Sequence, residues 1–391
     1  MSDPKDVSVT FFGLAQQRER IGKRIDEAVL KVLDAGAYVF GPEMRVFEAQ
    51  MAQFAGCSHV VSCANGTDAI ALAMMAWDVK PGDAIFCPSF TFCATVEVVP
   101  WLGATPVFVD IDPLTNNMSA EHLEASIEMI KREGKLTPKV VIAVDLYGHP
   151  ADYPAISAVA RKHGLKLIAD SAQGFGATIN GKHPVHWADA ATTSFFPAKP
   201  LGCYGDGGAI LTDDAELVEV LESLRVHGKA SKSDIIGKHY DYDPAKYVNI
   251  RIGMNSRLDT VQAAILIEKL AIFADELDAR DRIAARYNEL LRGAVESVPC
   301  LVSGGRSTWA FYTVEVNDRD ELTRKLMDQN IPSSIIYPFP MHTQGPYKHY
   351  PVGPGGLPVS EAKAKLVLSL PMHPYLDERA QDRVVAVVTG Q

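Results

Sequence analysis

Ser194-Phe-Phe-Pro-Ala-Lys199 runs out of a strand-like segment into the glycine-rich stretch Pro200-Leu-Gly-Cys-Tyr-Gly-Asp-Gly-Gly208. A lysine that is partly desolvated near cationic groups loses its proton readily, and the free amine can condense with an aldehyde. The Ser194 hydroxyl just upstream can hold a phosphate oxygen. Asp170 closes the apolar run Leu165-Lys-Leu-Ile-Ala-Asp170, and Gln173 lies in the turn beyond it. A carboxylate at the end of an apolar strand needs a cation or a donor to face, and a protonated pyridine nitrogen would satisfy it. Asn65-Gly66-Thr67 sits between the run His59–Cys63 and a helical pattern. Glycine lets the backbone come close to a ligand there, and helix N-terminal amides favour an anion. Phe92, in the loop after Ala84–Ser89, could lay its ring on a planar group.

Each residue also has a plainer reading. Asn65 or Thr67 could cap an ordinary helix, Asp170 could form a cap or a buried ion pair, Lys199 could be a surface lysine, and Phe92 could fill core. Taken in order, however, an anion-binding turn, an aromatic face, an acid, a hydroxyl and an amine match the needs of pyridoxal phosphate.

The elements that must position these residues alternate. Short apolar runs begin near 59, 84, 105, 139, 165 and 191, and stretches such as 67–77 and 154–163 between them have helical spacing. That alternation implies a mostly parallel α/β/α sheet, with ligands beyond the carboxyl ends of the strands. Residues 19–36 form an amphipathic helix, 256–298 read as one long helix or a broken pair, and 229–249 as a long polar and aromatic loop. The C-terminal part looks like a smaller α+β domain. The expected division is 1–260 for the large cofactor-binding domain and 261–391 for the small one.

The chain has 391 residues, 47% hydrophobic and 22% charged, with a formal net charge of −10. This balance argues against wholesale binding to nucleic acid or anionic membrane, and an anionic ligand would need a local positive site. Six cysteines without a C-x-x-C pair read as reduced thiols of a cytoplasmic protein, and no apolar stretch is long enough to span a bilayer.

Over essentially its whole length the sequence resembles the DegT/StrS-type sugar aminotransferases, which have the fold type I pyridoxal-phosphate (aspartate aminotransferase-like) architecture. The resemblance rests on GPEMRVFE, ANGTDAIALA, PSFTFCATVE, GATPVFVDID, DLYGHPAD, IADSAQGFGA, TSFFPAKPLGCYGDGGAI, GMNSRLDTVQAA and LSLPMHP. It implies that Lys199 bonds covalently to the cofactor, Asp170 pairs with its ring nitrogen and Gln173 contacts its ring hydroxyl. It places Phe92 on the ring and Gly66, Thr67 and Ser194 at the phosphate. It further implies a homodimer with shared sites, in which Asn255 reaches the partner's cofactor phosphate and Arg257 the partner's substrate. Relatives that remove a hydroxyl carry histidine in place of the lysine, so Lys199 favours amino transfer, with glutamate as donor.

The same motifs look most like the branch that aminates C3 of a UDP-linked 2-acetamido-3-keto-glucuronate for surface polysaccharide. A sibling acting at C4 of a 4-keto-6-deoxy sugar is the alternative, and a non-catalytic protein keeping the cofactor fold is a remote one. Arg257, Arg225, His227 and Lys229 are candidates for the positive site, although Arg225 reads best as a solvated helix end. Where relatives often have His-Tyr, this chain has Ile336-Tyr337, and Tyr337 is carried over as a sugar contact. Segment 229–249 could be a lid or a surface insertion.

Overall fold

A computed structural model describes residues 8–230 and 247–391. The amphipathic pattern near the start becomes helix α1 (Leu14–Ala35), which buries Ile21, Ile25 and Val32 and stops at Gly36, whose positive φ of 68° suits glycine. Helix α2 (Pro42–Ala55) follows and turns Phe47 and Met51 into the main core.

The central sheet has the order β1-β8-β7-β5-β4-β2-β3. Its strands are β1 (His59–Cys63), β2 (Asp83–Pro88), β3 (Thr105–Val109), β4 (Thr137–Val144), β5 (Lys166–Asp170), β7 (Ala190–Ser194) and β8 (Gly208–Thr212). Neighbouring residues on a strand face opposite ways, so Ile85, Ile142 and Ile168 meet helices α3 (Gly66–Ala76) and α4 (Ala94–Trp101). Phe86, Val141 and Leu167 face α5 (Ala120–Glu133) and α6 (Tyr153–His163) on the other side. Both faces are covered, which is why the strands read as apolar runs without alternation. Each fully buried Phe, Ile or Val contributes roughly 1.5–3 kcal/mol.

Strand β8 is the departure from the parallel pattern. It runs antiparallel to both neighbours, pairing Ser194 with Gly208 and Cys63 with Gly208 on its two edges. Only Ala209-Ile210-Leu211 separate the glycine-rich stretch from the polar start of helix α7 (Ala215–Leu224), so the sequence carries little sign of this strand.

Helix α8 (Thr260–Leu291) is continuous, not a broken pair. Its first half places Leu266, Phe273 and Leu277 in the sheet core. Its second half places Ile283, Tyr287 and Leu291 in a separate core with β10 (Tyr312–Glu315), β11 (Val367–Leu370), α9 (Arg319–Asp328) and α11 (Glu378–Thr389). Val9, near the other end of the chain, also packs into that second core. The two short strands β6 (Thr178–Ile179) and β9 (Gly305–Arg306) pair, while α10 (Pro358–Leu366) leads into β11. Among the described residues no helix is long and apolar enough to cross a membrane.

Candidate active site

The strands other than β8 share one direction, and their carboxyl ends meet at a single rim. A cavity of about 370 Å³ opens there. Asp170 enters it from the end of β5, Ser194 from β7, Gly66 and Thr67 from the turn after β1, Phe92 from the loop after β2, and Lys199 from the turn after β7. Tyr337 closes the rim from the C-terminal part of the chain. Sequence positions far apart are thus gathered by the sheet topology alone.

Asp170 is 5% exposed. The Thr95 hydroxyl donates to its Oδ2 at 2.8 Å and the Ala172 amide to its Oδ1 at 3.2 Å. Burial pushes the carboxyl above its ordinary range, opposed by these donors and by the charge of Lys199. Lys199 shows the mirror image: burial lowers its amine, and Asp170 pulls the other way. Lys199 leaves part of its surface open, yet protein crowds its ammonium, and no hydrogen bond or ion pair to that ammonium forms among the described residues. Such an amine is poised to act as a nucleophile or base.

The opposite end of the cavity suits an anion. Asn65 caps α3 by accepting from Asp68 N at 2.8 Å, so the capping reading holds for Asn65. The Gly66 and Thr67 amides have no acceptor among the described residues and remain available. A β-carbon on Gly66 would lie 2.7 Å from Ser194 Cβ, so the turn can sit against β7 only as glycine. Phe92 is not core filler: it is 52% exposed, with its ring 6.1 Å from that of Tyr337.

Gln173 has both amide atoms engaged. Its Oε1 accepts from Tyr147 N at 2.7 Å, and its Nε2 donates to the Tyr337 hydroxyl at 3.1 Å. Thr95 and Tyr147 did not stand out in the sequence. Thr95 follows Phe92 by three positions, but nothing short of tertiary contact marks it as the partner of Asp170. The residues present fit a planar group with an anion at one end, a protonatable ring nitrogen at the other, and a carbonyl within reach of an amine.

Asn255 and Arg257 do not line this cavity. Asn255 is exposed and bridges Val226, and Arg257 is half-buried. His227 and Lys229 also lie elsewhere. Arg225 corrects an expectation. It is not a solvated helix end but a fully buried residue whose guanidinium donates to Glu48 at 3.0 Å, Ser62 O at 2.6 Å and Glu222 at 2.6 Å. Its charge is consumed inside the protein. Most of segment 229–249, residues 231–246, lies outside the described residues.

The chain is similar to proteins of known type along its length. UDP-2-acetamido-2-deoxy-3-oxo-D-glucuronate aminotransferase of Pseudomonas aeruginosa is 41% identical over 384 residues, spanning 98% of this chain and 100% of that one. UDP-N-acetyl-3-dehydro-alpha-D-glucosamine 3-aminotransferase of Acidithiobacillus ferrooxidans is 41% identical over 360 residues, 92% and 91% of the two chains. A crystal structure of a DegT DnrJ EryC1 StrS aminotransferase from Brucella abortus superposes with a TM-score of 0.92 at 50% identity, covering 97% of this chain and 98% of that one. With the family's sequence pattern matching residues 19–389, this chain belongs to the DegT/DnrJ/EryC1/StrS aminotransferase family.

Proposed function

We propose that the protein is a pyridoxal-phosphate-dependent aminotransferase that moves an amino group from glutamate to C3 of a UDP-linked 2-acetamido-3-keto sugar, the glucuronate, for surface polysaccharide. The observation that carries this reading is the convergence of Lys199 and Asp170 on one cavity, with free amides of Gly66 and Thr67 at its far end. Both 41% relatives are named for amino transfer at the 3-position of a UDP-linked 2-acetamido sugar, which supports the regiochemistry.

When bound, the cofactor supplies an aldehyde that carries the amino group and a ring that accepts electron density. The protein does the rest. Lys199 Nζ, whose burial favours the uncharged amine, would anchor the cofactor and, once freed, accept the proton leaving the donor's α-carbon. Asp170 holds a proton on the ring nitrogen, Gln173 faces the ring hydroxyl, and Phe92 covers one ring face. Gly66, Thr67 and Ser194 receive the phosphate.

The site is shared in a homodimer, with Asn255 completing the partner's phosphate site and Arg257 facing the partner's anionic substrate. An apolar surface supports this reading: Tyr38, Val39 and Phe40 are exposed, Val39 bridges Asp259, and Ile252 is 92% exposed. Exposed apolar side chains of this size are costly to leave in water.

Borohydride reduction of the loaded protein, followed by peptide mass analysis, should find the cofactor mass on the peptide carrying Lys199, and Lys199→Ala should abolish turnover with the fold intact. The purified enzyme with glutamate should aminate the 3-keto glucuronate in preference to the 3-keto glucosamine and to a 4-keto-6-deoxy sugar. A label elsewhere on the chain, or a preference for the 4-keto sugar, would overturn the corresponding half of the reading.

A further inference from the structure

Three segments meet behind the rim in a closed ring of hydrogen bonds. Tyr147 N donates to Gln173 Oε1 at 2.7 Å, Gln173 Nε2 donates to the Tyr337 hydroxyl at 3.1 Å, and the Tyr147 hydroxyl donates to Ile336 O at 2.5 Å. Tyr147 is 1% exposed and does not line the cavity, although Gln173, Ile336 and Tyr337 all do. Its φ of 62° lies in the left-handed region, which a bulky side chain occupies only where its surroundings hold it. The contacts explain why it is held there: its amide and its hydroxyl reach two different segments at once.

The ring has a chemical direction. An amide N–H can only donate, so the Gln173 atom facing Tyr147 must be oxygen, and the NH₂ side must point toward Tyr337. Because the Tyr337 oxygen accepts from that NH₂, its own hydrogen is left over, and no acceptor among the described residues takes it. Burial raises both tyrosine hydroxyls well above their ordinary range, so both keep their protons. Beyond Tyr337 the segment is pinned again, by Met341 N on Ser89 O at 2.8 Å and by His342 Nδ1 beside Ser89 Oγ at 2.7 Å. Tyr337 therefore stands between two fixed points at the cavity rim. Donors in series polarise one another, which strengthens the terminal one.

We propose that Tyr147 is a positioning residue: through Ile336 and Gln173 it presents the Tyr337 hydroxyl proton to an oxygen acceptor on the bound sugar, and so contributes to recognition of the sugar rather than of the nucleotide. This rests on the proposed reading of the cavity as a nucleotide-sugar site. Tyr147→Phe keeps the backbone amide on Gln173 and removes only the hydroxyl that holds Ile336.

The test is calorimetric binding to the loaded enzyme, using the UDP-linked 3-amino sugar and UDP alone. Tyr147→Phe should weaken the amino sugar about fivefold, the loss of roughly one net hydrogen bond. It should leave UDP affinity and the absorbance spectrum of the bound cofactor unchanged. Tyr337→Phe should weaken the amino sugar at least as much, and the double variant no further, because both act through one hydroxyl. Equal weakening of UDP, or additive losses in the double variant, would overturn the proposal while leaving the aminotransferase reading intact. A wild-type enzyme that binds cofactor but neither ligand would remove the nucleotide-sugar reading and this inference with it.

Discussion

Thr95 Oγ1 donates to Asp170 Oδ2 at 2.8 Å, and Thr91 Oγ1 stands 2.9 Å from the same threonine oxygen. A donor on a carboxylate favours the charged form, whereas burial favours the neutral one. In Asp170 burial prevails, with the Thr95 hydroxyl foremost among the contacts that oppose it. Thr95→Val preserves shape and removes that opposition, so the Asp170 carboxyl should rise further. Its charged form is the one that can hold a proton on the cofactor's ring nitrogen. The acid limb of kcat/KM should therefore move to higher pH. A pH–rate profile of wild type and variant decides it; an unmoved limb would mean that the charge of Asp170 does not limit turnover.

On the proposed reading, the phosphate end depends on a close backbone approach as well as on the Ser194 hydroxyl. A β-carbon on Gly208 would lie 2.3 Å from Asn65 O and 2.8 Å from Gly66 N. Gly208→Ala must push the Asn65–Gly66 turn outward and displace the amides that face the anion. The strand pairing of β8 can survive this shift, so the protein should fold while its affinity for pyridoxal phosphate falls at least about tenfold. Spectroscopic titration of the apoprotein reads this directly. Unchanged affinity would detach those amides from the phosphate.

Arg225 separates structural charge from binding charge. Its guanidinium and Glu48 are both buried, and removing one member of such a pair strands the other. Arg225→Met should lower stability by about 3–5 kcal/mol in urea denaturation. The KM for the nucleotide sugar should stay within about twofold, since Arg225 does not line the cavity. A large rise in KM with stability preserved would return Arg225 to the substrate.

Much of the cavity was legible because its residues sit where strands end, and strand ends can be read from apolar runs. Asp170 and Ser194 are the last residues of their strands, Gly66 lies three residues past one, and Lys199 comes about one turn after Ser194. What could not be read depends on distant segments meeting. The Thr95 hydroxyl finds Asp170 across 75 positions, the Tyr147 hydroxyl finds Ile336 across 189, and Arg225 finds Glu48 across 177. Local pattern carries no trace of such pairings. The reversed strand β8 escaped for a different reason: its apolar run is only Ala209-Ile210-Leu211, set between the glycine-rich stretch and Thr212-Asp213-Asp214. The sequence left α8 open between one long helix and a broken pair, because a helix that changes partners midway turns different faces inward along its length.

Sharing of the site between subunits can be tested without a structure of the dimer. Asn255 and Arg257 lie away from their own chain's cavity, a few residues beyond the exposed Ile252. If they serve the partner's site, a subunit lacking Lys199 still offers a good Asn255 and Arg257 to its neighbour. Lys199→Ala and Arg257→Ala proteins should each be nearly inactive alone. Unfolded together and refolded as an equal mixture, half the dimers are mixed, and one of their two sites has both residues intact. Activity should then recover to about one quarter of wild type. Ile252→Asp should place a charge in the interface, shift sedimentation toward monomer and abolish that recovery. A mixture no more active than its parents would confine each site to one chain.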